Sequence, residues 1–277
     1  MSDSSQDPIR ELWNTRYRDA CPDAQLAGNE TVLSLLAHRS IRSYLAEEVP
    51  ENVLAAALAA AQSASTSSNL QMWSVIAIAD PARKARLAAL SGGQKHIEQA
   101  PLFLAWVLDQ SRLRRLGEAQ GKPTEGLDYL ETFVVGAVDT TLAAQNAAVA
   151  FESFGLGIVY IGGMRNHPEQ VAAELALPPG SMVLFGMCVG YPDQAHLTGI
   201  KPRLPLAAVL HRERYDSGKE AGLIADYDRR VADYLRERGA NGDHWSATVV
   251  DRVGGPQSLG GRDRLREALA ERAFKLR

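Results

Sequence analysis

Apolar and polar positions fall into two regimes along this chain: helical spacing in some stretches, short unbroken apolar runs in others. Helical spacing marks 31–37 (TVLSLLA), the alanine-rich stretch after Pro50 that carries Val53, Leu54 and Leu58, and residues 81–90, 131–154 and 168–175. Pro50 stands where a helix accepts a missing N–H, and Gly155 with Gly157 closes the long helix, glycine being at ease in the left-handed conformation. The apolar runs 73–79 (WSVIAIA), 101–108 (PLFLAWVL), 158–161 and 182–189 (MVLFGMCV) have strand length and predict buried strands. Between them, 63–69 (SASTSSN) reads as a loop, and 112–126 as a surface excursion without a core-facing pattern. The pattern predicts a polar, loosely held N-terminal extension over 1–30, a mixed α and β core over 31–215, and a more charged helical arm over 216–277. Helices are expected in that arm at 221–238 and 262–274, joined through a glycine-rich connector at 254–261.

Composition narrows the picture. With 277 residues, 45% hydrophobic and 23% charged, the chain can bury a core, and disorder is excluded for most of it. A formal net charge of -3, from 30 basic and 33 acidic residues, provides no global basic field for nucleic acid. Cys21 and Cys188 are too few for a disulfide framework or a thiolate metal site, and a reducing cytoplasm is the expected compartment. The opening residues MSDSSQDPIRELW lack the basic patch and apolar run of an export signal. The tract 133–154 is interrupted by Asp139, Gln145 and Asn146, so it reads as a buried helix rather than a membrane span.

Nucleophile elbows, Walker loops, H-E-x-x-H motifs, paired C-x-x-C motifs and G-x-G-x-x-G fingerprints are all missing from the sequence, which disfavours ordinary hydrolase, ATPase, zinc and Rossmann chemistry. Four segments remain. His38-Arg39-Ser40-Ile41-Arg42 could converge two guanidinium groups and a hydroxyl on one phosphate, although a solvated basic turn would have the same sequence. Tyr160-Ile161-Gly162-Gly163-Met164-Arg165 runs from a strand end into paired glycines, where a flat ligand can approach the backbone; a plain tight turn is the alternative. Lys201-Pro202-Arg203 holds two cations apart, and 65–73 (STSSNLQMW) offers hydroxyls and amides just before a strand.

Taken together and in this order, the segments resemble the FMN-dependent nitroreductase and flavin reductase family, closest to its larger NADPH-type members, over about residues 33–251. The resemblance implies an α+β fold with a central, mostly antiparallel sheet flanked by helices, forming a homodimer with FMN at the interface. It implies that His38, Arg39, Ser40, Ile41 and Arg42 lie near the FMN phosphate and ribityl chain, and that Thr66, Ser67, Ser68 and Gln71 reach the flavin, often from the neighbouring subunit. Gln94 and His96, in the stretch Gly92-Gly93-Gln94-Lys95-His96, are expected at the cofactor. Tyr160, Ile161, Gly162 and Gly163 are expected against the ring, Lys201 and Arg203 at the phosphate or pyrimidine end, and Arg165 and Arg238 at the NADPH or NADH donor. The implied activity is ping-pong hydride transfer from NAD(P)H through flavin N5 to nitroaromatic, quinone or flavin acceptors, with no catalytic side chain and no metal. A non-turnover FMN store or redox sensor, or a specialised flavin, quinone or chromate reductase, carries the same motifs. The chain departs from the resemblance at Gly242-Asp243-His244, where paired arginines are usual. That weakens the case for strict NADPH preference.

Overall fold

The computed structural model describes residues 7–21, 26–240, 242 and 244–277. In chain order the helices are α1 (Pro8–Tyr17), α2 (Glu30–Ala37), α3 (Glu51–Gln62), α4 (Pro81–Leu90), α5 (Lys95–Gln99), α6 (Ser111–Ala119), α7 (Leu130–Ser153), α8 (Pro168–Glu174), α9 (Leu206–Val209), α10 (Glu220–Glu237), α11 (Trp245–Arg252) and α12 (Leu265–Glu271). The strands are β1 (Trp73–Ile78), β2 (Leu102–Asp109), β3 (Gly157–Ile161) and β4 (Ser181–Gly190). Internal contacts divide the chain into two units: Met1–Arg39 with Gly199–Leu259, and Ser40–Thr198 with Gly260–Arg277.

The second unit holds the sheet, whose order is β1-β2-β4-β3 with every pairing antiparallel. Helices cover both faces, which explains why its strands read as unbroken apolar runs rather than as alternation. On β2, Leu102, Leu104 and Trp106 join a core with Ala57 of α3 and Ala143, Ala147 and Phe151 of α7. The intervening Phe103, Ala105 and Val107 join a second core with Leu87 of α4, Ile97 of α5 and Val171 of α8. Successive side chains point to opposite faces, and here both faces are dry. A bulge between Trp106 and Val107 shifts the β2–β4 register, and the Phe103 ring fills the space over Gly186 of β4. A third cluster sets Leu269 and Phe274 against Leu108, Met182 and Leu184.

The long helix α7 is apolar enough by length and composition to cross a membrane, yet its Ala143, Ala144, Ala147, Ala148 and Phe151 are buried against the sheet and α3. Its other side leaves Leu130, Val134, Val138 and Leu142 exposed at i, i+4 spacing, a continuous apolar stripe.

Three expected elements differ. The stretch 112–126 contains a helix, α6, initiated by Asp109, whose carboxylate accepts from the Ser111 N–H (3.0 Å) and hydroxyl (2.5 Å). Its polar face hides it from a periodicity reading, while the acid two residues before the serine was the available signal. The stretch 262–274 is broken into a single 3-10 turn at Arg262–Arg264 and then α12. Residues 245–252 form α11, which lacks a strong apolar stripe; Asp228 receives the Ser246 N–H (2.9 Å) and hydroxyl (2.6 Å) at its start.

In the first unit, Asp7 caps α1 by accepting from the Ile9 N–H and Asn29 caps α2 by accepting from the Val32 N–H. Residues 8–17 are thus helical within the polar stretch that the sequence shows as loosely held. Helix α10 buries Tyr227 and Tyr234.

Candidate active site

In the second unit, β3 ends at Ile161 and the chain turns through Gly162–Arg165. A side chain at Gly163 is excluded, because its Cβ would lie 2.5 Å from the Ser91 carbonyl oxygen and 2.7 Å from Gln94 Nε2. Gln94 is in turn fixed by donating to that same carbonyl at 2.8 Å. Gly162 is different: a Cβ there would meet only Arg165 Nη2 at 3.5 Å and Arg262 Nη1 at 3.8 Å. The backbone at Gly162 is therefore a ledge with room for a methyl group, and two guanidinium groups lie at contact distance from it. Arg165 donates to the Leu184 carbonyl, and burial, then the neighbouring Arg262, lowers its pKa.

Segment Ser40–Arg42 runs beside the start of β3, with the Ile41 N–H donating to the Ile158 carbonyl at 2.9 Å. Ile41 is buried and fills the space over Gly157, and its carbonyl accepts from the Tyr44 hydroxyl at 2.6 Å. Its side chain, N–H and carbonyl all take part in contacts within the fold, so Ile41 holds its neighbours Ser40 and Arg42 in place. Arg42 is exposed, and Ser40 accepts at its carbonyl from the Thr198 hydroxyl (2.8 Å). The field of Arg42 reaches His96, whose pKa is lowered first by burial and then by this cation. His96 Nε2 is buried without a hydrogen-bond partner, an unusual cost for a polar atom.

Tyr160 and Ile161 alternate as strand neighbours do: Ile161 is buried in the second core, while Tyr160 is partly exposed, stacks edge-on to Phe185 and directs its hydroxyl to Gln145. The loop 66–71 is held by a buried acid on α7. Asp139 accepts the Thr66 hydroxyl at 2.6 Å and the Ser67 N–H at 3.1 Å, and Thr66 Oγ1 accepts the Gln71 N–H at 3.0 Å. Ser68, Asn69 and Gln71 all have positive φ, a costly conformation for residues with a Cβ, and Arg112 fastens the Gln71 carbonyl at 2.9 Å. Ser68 and Gln71 are exposed.

The first unit brings two of the sequence-predicted segments together. Buried Arg16 donates to the carbonyls of Lys201 (2.9 Å), Leu36 (2.9 Å) and His38 (2.5 Å), and its own carbonyl receives the Arg203 N–H at 3.0 Å. Lys201, Arg203, Tyr227, Tyr234 and Trp245 line a cavity of about 350 Å³. Arg238 lies over the Tyr234 ring, 5.3 Å from its centroid, in space left by the missing Cβ of Gly199; Arg18 lies at the same distance from that ring and pairs with Glu237. Asn241 and Asp243, beyond Arg238, lie outside the described residues.

Comparison with known proteins follows this geometry. Residues 35–191 match the nitroreductase family, and residues 201–277 match the nitroreductase family C-terminal domain. The chain belongs to the nitroreductase family. It is 39% identical to the FMN reductase (NADPH) of Bacillus subtilis over 80% of this chain and 91% of that protein. It is 43% identical to the oxygen-insensitive NADPH nitroreductase of Salmonella typhimurium over 78% of this chain and 88% of that protein. The solved structure of B. megaterium NfrA2 superposes with a TM-score of 0.85 at 38% identity, covering 90% of this chain and all of that one.

In this nitroreductase, three residues that hold or border these segments, each within its own unit, escaped the sequence reading. Arg262 borders the Gly162 ledge from a distant part of the chain, Asp139 looked like an interruption of an apolar helix, and Arg16 lay in a stretch read as loose. A charge inside an apolar or polar tract was the only available signal for each.

Proposed function

We propose that this nitroreductase transfers hydride from NAD(P)H to nitroaromatic, quinone or flavin acceptors in two half-reactions on one open face, the donor leaving before the acceptor enters. That it is an NAD(P)H-dependent FMN oxidoreductase rests on family membership and on relatives named for that activity. Bound FMN supplies hydride acceptance and release at its ring N5. The residues fit such a group. The backbone at Gly162, with no side chain and two guanidinium groups beside it, suits the edge of a flat ring, and the orphaned Nε2 of His96, in the field of Arg42, suits a polar or anionic ligand.

His38, Arg39, Ser40, Arg42, Lys201 and Arg203 are assigned to the phosphate and ribityl end, where guanidinium forks favour phosphoryl oxygens. Gln94 and His96 supply side-chain polar atoms, Gly162 and Gly163 supply backbone surface and N–H groups, and Tyr160 borders the ring. Arg165 and Arg262 hold positive charge at the ledge, the side on which an anionic donor would enter. Arg238 is assigned to the donor's phosphate.

The same reading makes the molecule a homodimer in which the Thr66–Gln71 loop serves the flavin of the other copy. Its support is the exposed stripe Leu130, Val134, Val138 and Leu142, which a lone chain leaves in water. The expected location is the cytoplasm.

The single observation that carries the proposal is the side-chain-free backbone at Gly162, with the guanidinium groups of Arg165 and Arg262 beside it. The test is anaerobic. Purified protein should be yellow, should bleach on addition of NADPH or NADH, and should recover colour when nitrofurazone or a quinone is added. Colour that neither donor bleaches would overturn turnover and leave a flavin store.

A further inference from the structure

The helix α1 lies outside both family matches, which cover 35–191 and 201–277, and its sequence carries no ligand motif. Its last turn nevertheless holds one of the few buried charged side chains among the described residues, Arg16, 6% exposed. We infer that Arg16 is a positioning residue for cofactor binding, tying the His38 and Lys201–Arg203 segments into one phosphate-receiving surface. This rests on the FMN reading above.

The geometry carries the inference. One guanidinium accepts no bonds and donates in a planar fork; here the fork reaches Leu36 and His38 in one segment and, 185 residues from Arg16, Lys201 in another. The link runs both ways, since the Arg203 N–H donates back to the Arg16 carbonyl. The two segments that carry His38, Arg39, Lys201 and Arg203 therefore share a single buried hub. The hub also sets a buried cation directly behind the His38 and Lys201 carbonyls. Pro202 is fixed separately, its carbonyl accepting the Tyr227 hydroxyl at 2.9 Å. Lysine cannot replace the fork, because one ammonium has no planar pair of donors to span the two segments.

A merely structural arginine would weaken all ligands alike, so the test compares FMN with riboflavin, which has the same ring and ribityl chain without the phosphate. Full-length protein is freed of flavin and titrated with each, for wild type, Arg16→Lys and Arg16→Gln, with circular dichroism and melting checked for each variant. Expected is a preference of the wild type for FMN, reduced about tenfold or more in Arg16→Lys through loss of FMN affinity, with riboflavin binding within about twofold of wild type. If Arg16→Gln melts too early to titrate, Arg16→Lys decides. Equal losses for both flavins, or an unchanged preference in a folded variant, would overturn the role of Arg16 while leaving the FMN site intact. A wild-type chain with no preference for FMN over riboflavin would overturn the phosphate assignment, and the Arg16 inference with it.

Discussion

Two adjacent glycines perform different work, and the difference is measurable. Gly163 is boxed in by a backbone carbonyl and a fixed amide, so Gly163→Ala forces movement of Ser91 or Gln94 and should destabilise the fold by about 1–3 kcal/mol in urea unfolding. Gly162→Ala meets only ordinary contact distances, so stability should stay within about 0.5 kcal/mol of wild type. Its methyl would stand on the ledge, and kcat/KM with a nitroaromatic acceptor should fall; unchanged turnover would show that the ring lies elsewhere. Arg42→Ala should release FMN with little loss of fold, because neutralising a phosphate is a local task, and full retention of flavin would mean a misplaced phosphate. His96 gives a pH signature. Burial and Arg42 hold its pKa in the folded chain below the ordinary value of about 6.5, so the unfolded chain binds more protons between the two values. Its contribution to stability is therefore fully present above about pH 6.5 and is lost as the pH falls below it. Urea midpoints at pH 7.5 and 5.5 should differ less in His96→Gln than in wild type.

At the scale of elements, α7 joins the core to the 66–71 loop. Its inner face is alanine because the sheet and α3 approach closely, and its outer stripe is apolar and exposed among the described residues. Val138→Asp should leave the inner face intact and convert a dimer to a monomer in light scattering, with flavin lost in parallel; a dimeric, yellow variant would reject this face as the interface. One turn position away, Asp139 restrains a loop with three non-glycine residues at positive φ. Asp139→Ala strands a hydroxyl and an N–H, a loss of about 1–3 kcal/mol that Thr66→Val should reproduce only in part. The central strands β2 and β4 were legible in sequence because both their faces are dry; β1, expected buried, is a half-buried edge strand with Ala77 exposed, and helices α3, α4 and α7 were legible because their apolar spacing faces a core. Helices α1, α6 and α11 were not legible as core-facing patterns, since polar caps and single side chains, rather than an apolar stripe, hold them in place.

For the molecule as a whole, local motifs single out candidate ligand-binding residues, but not the residues that hold those segments in place. The segments 38–42, 160–165 and 201–203 stand out by composition, whereas Arg16, Asp139 and Arg262 act on residues far along the chain, and no spacing rule links such positions. The same limit bears on the choice of electron donor. Arg238 is assigned to the 2'-phosphate that distinguishes NADPH from NADH, and its guanidinium already rests on Tyr234 and against Gly199, so engaging a phosphate means sharing or leaving that ring. The next cations that the family resemblance leads one to expect are replaced by the sequence Gly242-Asp243-His244, which carries an acid in their stead. Each charge-assisted bond forgone is worth about 1.5–3 kcal/mol, a factor of roughly 10 to 150 in discrimination. Wild-type kcat/KM for NADPH and NADH should therefore lie within about tenfold of each other, and Asp243→Arg should raise the NADPH value while leaving NADH nearly unchanged. A wild-type preference for NADPH of a thousandfold would show that Arg238 suffices alone and that the lost cations were never part of the donor site.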